Sequence, residues 1–197
     1  MLIRSIVALA GGIALASLCA AQASAADVFT LSSTTFKDGT MLPRAAANMN
    51  KGNQPNCVGE NVSPQFSWTG TPAGTKSFVF LMEDPEGRGG AGVHHMVIYG
   101  IAPTVTSFAE GDLSKPSDKF VGGKATQGTG IYNGPCTPPN VQPHHYTFTL
   151  VATDFDPKEL PPGLTRPEVL DKIAPQGGKS RAKGSAGMVG LFVKPAN

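Results

Sequence analysis

The sequence predicts a mainly β fold in one domain, with few helices, and three observations support this prediction. Glycine and proline are abundant, with 24 and 17 residues, and they are spread along the chain rather than collected in one linker. Short runs of β-branched and aromatic residues lie between these breaks. Long amphipathic helical patterns are scarce. Together these features are typical of short strands joined by long loops.

Six segments have the composition or the periodicity of β-strands. Segments 77–83 and 95–101 are apolar on both faces, which is typical of strands that are covered on both sides. Segment 145–153 alternates apolar and polar residues at a period of two, so one of its faces is expected to be wetter. The other predicted strands are 28–31, 65–68 and 188–193.

One helix is predicted, over residues 166–173. Thr165 can cap its first turn, Glu168 follows three residues later as in a capping box, and Pro167 falls in the first turn. The segment that follows, 176–187, is rich in Gly, Lys, Ser and Ala. We predict that this segment is a mobile surface loop.

The first 25 residues have the three-part pattern of a secretory signal peptide. Arg4 supplies an early positive charge, an apolar run covers about residues 6–18, and Ala23-Ser24-Ala25 is an A-x-A cleavage site. The apolar run is shorter than the ~20 residues that span a bilayer, which disfavours the alternative of an uncleaved anchor. Cys19 suggests a lipoprotein, but the leucine before it is larger than that signal prefers. We therefore expect a periplasmic or secreted chain of one domain, residues 26–197, without a transmembrane segment.

Two cysteines remain after the predicted cleavage, Cys57 and Cys136. They could be two separate buried thiols or one disulfide that closes a long loop. We favour the disulfide, because export removes the reducing buffer of the cytosol. The chain-entropy model values such a loop at about 4–5 kcal/mol of stability.

Ionisable residues meet rigid backbone at the ends of predicted strands. Asp84-Pro85-Glu86 follows one buried strand, His94-His95 begins the next, and Gly134-Pro135-Cys136 precedes His144-His145-Tyr146. Histidines donate hydrogen bonds to anions, most strongly when protonated, and a neighbouring carboxylate raises the pKa of a histidine. These groups could together form a pocket for phosphate, carboxylate or sulfate.

Adjacent histidines in a strand face opposite sides, which limits how many of them can serve one pocket. At most one of His94 and His95, and one of His144 and His145, would face it. Purely structural histidines are the competing interpretation, and the sequence leaves both open. If the pocket exists, protonation of histidines with a pKa at or above ~6.5 strengthens binding. Phosphate affinity should then be higher near pH ~6 than near pH ~8.

Several classes of function have little support in the sequence. The net charge of +2 is small for this length and disfavours nucleic-acid binding, which uses basic patches or stripes. No H-E-x-x-H spacing or similar pattern points to a metal, and no cofactor is expected. No G-x-S-x-G elbow is present, and a disulfide would remove the thiol of Cys136, so we expect no enzymatic activity. A hydrolase that uses the histidines and acids is the enzymatic alternative.

Five segments, in order along the chain, carry motifs that occur together in one family. They are 61–78, Asp84-Pro85-Glu86, His95 with the strand after it, Gly134-Pro135-Cys136 with Pro143-His144-His145-Tyr146, and 187–192. In this combination they resemble the bacterial branch of the phosphatidylethanolamine-binding protein family, which is often labelled Raf kinase inhibitor-like. The resemblance spans nearly all of the predicted mature chain.

The resemblance implies a large antiparallel sheet packed against a smaller sheet, with few peripheral helices. It also implies a surface pocket for phosphate-like or phospholipid head groups such as phosphoethanolamine, without general catalytic activity. The implied ligand-binding positions are Asp84, Glu86, His95, Gly134, Pro135, His144 and Tyr146. Some family members inhibit kinases or proteases, so the alternative function is inhibition of such a protein, docked at the pocket mouth.

The chain departs from the family's motifs near the implied pocket. Glu86 stands where the family has aspartate, Met96 where it has an aromatic residue, and His145 where it has arginine. The loop 87–92 is unusually rich in glycine, and Phe192 replaces a tyrosine near the end of the chain. These changes leave the ligand preference open.

Overall fold

A computed structural model describes residues 27–139, 141–175 and 177–196. The predicted signal peptide, with Cys19, lies outside the described residues. Neither helix within the described ranges has the length and apolar character of a membrane span.

Nine strands form two sheets in the part of the chain that the structure describes. The larger sheet has six strands in the order β2-β9-β8-β4-β5-β7, and the smaller has three in the order β1-β3-β6. All neighbours are antiparallel except β2 and β9, which run parallel. The predicted mainly β fold of a large and a smaller sheet is confirmed. The bounds are β1 Thr30–Ser32, β2 Thr40–Met41, β3 Phe66–Thr69, β4 Ser77–Asp84, β5 Val93–Ile101, β6 Ser107–Phe108, β7 Val121–Gly122, β8 His144–Thr153 and β9 Ala182–Phe192.

Strand β4 is buried on both faces, as its uniformly apolar sequence predicts. Its even-numbered residues face the smaller sheet, where the rings of Phe80 and Phe66 lie 5.0 Å apart. Its odd-numbered residues, Val79 and Leu81, belong to a second apolar cluster that includes Val169 of the C-terminal helix. Because successive strand residues point to opposite sides, one strand serves two cores. The polar residues at the end of β4 therefore follow a strand that is held by packing on both of its faces.

The helix predicted over 166–173 is present as α2, Arg166–Ile173, and a shorter helical turn, α1, covers Gly87–Gly90. The capping box of α2 forms as predicted: Glu168 N donates to Thr165 Oγ1 at 3.5 Å, and Thr165 N donates to the Glu168 carboxylate at 2.8 Å. Val169 and Ile173 are the buried residues of this helix. The helix therefore covers the outer face of the larger sheet.

Removing the cap of α2 is expected to lower the free energy of unfolding by about 1 kcal/mol in Thr165→Ala, because the Glu168 N–H loses its acceptor and the Glu168 carboxylate loses the Thr165 hydroxyl. Thr104→Ala is the matched control, since Thr104 is exposed in the turn before β6. Urea denaturation of both variants and the parent protein measures the difference. Equal midpoints for the two variants would show that the cap contributes nothing to stability.

The prediction of a mobile loop over 176–187 is wrong from Ala182 onward. Gln176 lies outside the described residues, but 182–192 forms the longest strand, β9, which pairs with β8 from Ala182 opposite Thr153 to Phe192 opposite His144. Backbone pairing along β8 outweighs the low strand propensity of the small residues. The glycines here also permit close packing, since a Cβ on Gly190 would lie 2.6 Å from Leu42 Cδ2.

Candidate functional site

A small cavity opens where β4 ends and where β5 and β8 begin. Antiparallel pairing brings these points together, because Asp84 at the end of β4 pairs with Val93 at the start of β5, and β8 runs along the other side of β4. The cavity has a volume of about 130 Å³. This is room for roughly four water molecules at ~30 Å³ each. Its lining comprises Asp84, Gly87, Arg88, Val93, His95, Gln127, Cys136, Thr137, Pro138, His144 and Tyr146.

His95 forms one buried wall of the cavity, with 3% of its surface exposed. Its Nδ1 lies 2.6 Å from the carbonyl oxygen of Asn133. A carbonyl only accepts, so Nδ1 carries the hydrogen and Nε2 is the ring atom available to a ligand. Burial lowers the pKa of His95, against smaller raising effects of the Asn133 carbonyl and Asp84. The expected rise of this pKa next to a carboxylate is therefore wrong for His95, because burial dominates.

His144 also lines the cavity and is held by a buried carboxylate. Its Nδ1 lies 2.8 Å from Asp84 Oδ2 and 3.0 Å from Asp84 Oδ1, so Nδ1–H donates to the carboxylate. Asp84 is 3% exposed and also accepts from the backbone N–H of Gly87 at 2.9 Å. Asp84 thus orients the imidazole of His144 and leaves its Nε2 for a ligand.

Two hydroxyl groups complete the polar lining. The ring of Tyr146 packs edge-on against His95 at 5.2 Å, and burial together with the Asp84 carboxylate raises the pKa of Tyr146, so the phenol keeps its proton. Thr137 Oγ1 is buried and has no hydrogen-bond partner within the described ranges. An unpaired buried hydroxyl costs about 1–3 kcal/mol, so Thr137 is held in place by the packing around it rather than by a hydrogen bond of its hydroxyl.

Thr137 and Arg88 are cavity residues that sequence reasoning missed. Thr137 directly follows the Gly134-Pro135-Cys136 motif, and this adjacency was the available signal. Arg88 lies in the glycine-rich loop and has a positive φ of 55°, a backbone conformation that places it outside any regular pattern. Its contribution to the cavity could not be inferred from strand periodicity.

The remaining predicted site residues surround the cavity rather than line it. Glu86 lies at the rim, where its carboxylate accepts from His145 Nδ1 at 2.7 Å and from the backbone N–H of His145 at 3.1 Å. Gly134 and Pro135 lie behind the wall: Gly134 N donates to Asn61 Oδ1 at 2.8 Å, and Pro135 O accepts from Asn48 N at 2.8 Å. The motif residues therefore divide between a lining set and a supporting set.

Each histidine pair has one member on each side of its strand, as predicted. His94 faces away from the cavity, with Nε2 3.8 Å from Glu83 Oε1. His145 is more than half exposed and pairs with Glu86. One histidine from each pair, His95 and His144, lines the cavity.

The favoured disulfide between Cys57 and Cys136 is present. Cys136 lines the cavity, and Cys57 belongs to the long loop that precedes β3. The bond therefore ties this loop to the cavity wall. It also leaves no thiol on Cys136 to act as a nucleophile.

Asp84, Glu86 and His144 place possible metal-ligand atoms within 4.8 Å of one another. These are suitable ligand types for a cation. Both carboxylates are already engaged, however, Asp84 with His144 and Glu86 with His145. A cation would have to replace these hydrogen bonds, so the geometry favours the two histidine–carboxylate pairs.

The structure thus defines a two-sheet β protein with a histidine-lined cavity at the ends of three adjacent strands of the larger sheet, β8, β4 and β5. Residues 32–184 match the family model described as phosphatidylethanolamine-binding protein, and the chain belongs to this family.

Known relatives agree with this assignment. A Mycobacterium tuberculosis protein named "Putative lipoprotein LppC" is 34% identical over 86% of this chain and 75% of its own length. A UPF0098 protein of Methanothermobacter thermautotrophicus is 35% identical over 69% of this chain and 85% of its own length. The crystal structure of Escherichia coli YbcL, described as a new member of the mammalian PEBP family, superposes with a TM-score of 0.70 at 26% identity. The superposition covers 84% of this chain and 98% of YbcL.

Proposed function

We propose that the protein is an exported binding protein that holds a small phosphate-like anion, free or as a phospholipid head group, between His95 and His144. The observation that carries the proposal is that one cavity of about 130 Å³ is lined by both of these histidines. Each histidine has its Nδ1 engaged by the protein and its Nε2 left for a ligand.

The hydrogen-bonding groups of the cavity suit a protonated oxyanion. Neutral His95 accepts through Nε2, and phosphate carries a P–OH group that can donate to it near neutral pH. The unprotonated oxygens of phosphate can accept hydrogen bonds from a guanidinium, and Arg88 is the cationic residue among those that line the cavity. Arg88 also supplies positive charge beside Asp84, whose carboxylate is already occupied by His144 and Gly87.

We propose binding without turnover. A hydrolase that forms a covalent intermediate would need a protein nucleophile next to the histidines, and Cys136 is engaged in the disulfide. The pairing of His144 with buried Asp84 is equally suited to fixing an imidazole for ligand binding. Export is supported by the signal-peptide pattern of the first 25 residues and by the relative named as a lipoprotein.

Phosphate and sulfate should respond differently to pH. Because burial holds the pKa of His95 below 6.5, His95 is neutral in the free protein at neutral pH. Sulfate has no proton to donate, so its binding requires a proton on His95. Above the pKa of His95 in the free protein, the affinity for sulfate should therefore fall with rising pH, by at least about tenfold between pH ~6 and pH ~8. Phosphate donates its own proton and should change much less. This replaces the sequence-based expectation of higher phosphate affinity near pH ~6, because burial lowers the pKa of His95.

Calorimetric titration of both anions at the two pH values tests the proposal. His95→Ala should weaken phosphate binding and remove the pH dependence that His95 confers on sulfate binding. His145→Ala is the matched control, because His145 is exposed and outside the cavity lining. Absence of binding of either anion to the folded protein, or equal effects of the two substitutions, would overturn the proposal.

Inhibition of a protease or kinase through contacts at the cavity mouth stays the alternative prediction. It expects little affinity for phosphate and a stable complex with the target protein. The same calorimetry, combined with capture of proteases and kinases on immobilised protein, separates the two functions. The hydrolase alternative would require turnover that disappears in His95→Ala.

A further inference from the structure

A second, larger cavity lies on the other side of the start of β5. Its volume is about 370 Å³, and its lining includes Arg88, His94, Lys124, Thr126 and Thr165. The segment around Lys124 is held firmly against its neighbours. Thr126 N donates to His94 O at 3.0 Å, His94 N donates to Thr126 Oγ1 at 2.9 Å, and Lys124 N donates to Leu164 O at 2.9 Å.

The two cavities share a wall. His95 lines the first cavity and His94 the second, because neighbouring strand residues face opposite sides. In the same way, Gln127 lines the first cavity and Thr126 lines the second. Arg88 lines both cavities. The two cavities are therefore lined by neighbouring residues of the same chain segments.

The second cavity has an excess of positive charge. Arg88 and Lys124 are exposed, and neither forms an ion pair with another described residue within 4.0 Å. Glu83, the acid beside His94, is paired with Arg166 at 2.7 Å.

The other charged and polar groups at this cavity do not cancel that excess. Glu168 offsets only part of it: the N–H and hydroxyl of Thr165, with Lys172 and Lys124 as weaker contributors, lower the pKa of Glu168 and keep it anionic, which leaves one of the two positive charges unbalanced. Burial, followed by Arg166, lowers the pKa of His94, which is thus a neutral donor or acceptor.

We propose that the second cavity is an anion subsite, and that the ligand carries two phosphate-type groups, one in each cavity, with the Arg88 guanidinium between them. This inference rests on the proposed function for the first group. It adds the class of ligand: a molecule with two anionic groups rather than a simple monophosphate.

The probes are inorganic phosphate and inorganic tripolyphosphate. Their binding is monitored by NMR of the backbone amides of the mature protein. Phosphate should shift the amides of His95 and Thr137, and tripolyphosphate should also shift those of His94, Lys124 and Thr126. Lys124→Ala should weaken tripolyphosphate binding about fivefold, which is the upper range for one exposed ion pair. It should leave phosphate binding in the first cavity unchanged.

Lys158→Ala is the matched control, because it removes the same charge from an exposed lysine that lines neither cavity. Tripolyphosphate shifts confined to the first cavity, or equal weakening by the two lysine variants, would overturn the second subsite and leave the proposed function standing. Shifts in the second cavity without phosphate shifts at His95 and Thr137 would instead overturn both the proposed function and the two-group ligand.

Discussion

Removal of the disulfide, in Cys57→Ser/Cys136→Ser, is expected to lower the free energy of unfolding by about 4 kcal/mol. The two cysteines are 79 residues apart, and opening a loop of that length restores conformational entropy to the unfolded chain. The chain-entropy model gives about 4–5 kcal/mol for such a loop, and measured values are often somewhat lower. Urea denaturation of the variant, and of the parent protein with and without reductant, measures the effect.

The same change should weaken phosphate binding, because Cys136 lines the cavity next to Thr137. The wall should loosen rather than unfold, since Asn48 N still donates to Pro135 O and Gly134 N to Asn61 Oδ1. Calorimetry on the folded variant separates this effect from lost stability. Equal unfolding midpoints for oxidised and reduced parent protein would contradict the stability prediction. Unchanged phosphate affinity would show that the wall does not depend on the bond.

Gly134→Ala is expected to destabilise the fold by about 3 kcal/mol, the upper range for overpacking of a core. A Cβ at this position would lie 2.1 Å from Ala46 O and 2.8 Å from Asn48 N. Both are backbone atoms, so no side-chain rotation can relieve the contact. Either the segment that carries Cys136 and Thr137 or the segment 46–48 must move.

Phosphate affinity should fall together with stability in this variant, because the displaced segment is the cavity wall. Gly122→Ala is the matched control, since nothing lies within 4 Å of a Cβ there and the backbone is not in the left-handed region. Thermal unfolding and calorimetry of both variants provide the test. If Gly134→Ala were as stable as Gly122→Ala, the close approach would not constrain the fold.

The family motifs located the cavity but did not separate the residues that line it from those that support it. His95 and His144 line the cavity, whereas Glu86 bonds His145 at the rim and Gly134 packs against the backbone of Ala46. A motif records that a residue type is required at a position. The contact that requires it, whether with a ligand or with the protein itself, depends on segments that are distant in sequence.

The pKa of His95 shows the same limit. Its sequence neighbourhood includes acids, which predicts a raised pKa, yet the structure lowers the pKa by burying the ring under Tyr146 and the 133–137 loop. Burial is a property of the assembled fold, so the sign of the shift could not be decided from nearby charges alone. If the cavity binds an anion as proposed, we expect a neutral His95 to favour a protonated oxyanion over an unprotonated one.

Local patterns in the sequence determined the elements whose stability is local or whose burial is uniform. The capping box defined α2, and the unbroken apolar run defined β4 as a strand covered on both faces. Tertiary structure decided what local preference opposes or does not specify. The glycine-rich segment from Ala182 became β9 only because β8 offers a full row of backbone partners, and Arg88 and Thr137 joined the cavity only through long-range packing. Strand pairing and cavity walls are made by contacts between distant residues, and their energies appear only when the chain has brought those residues together.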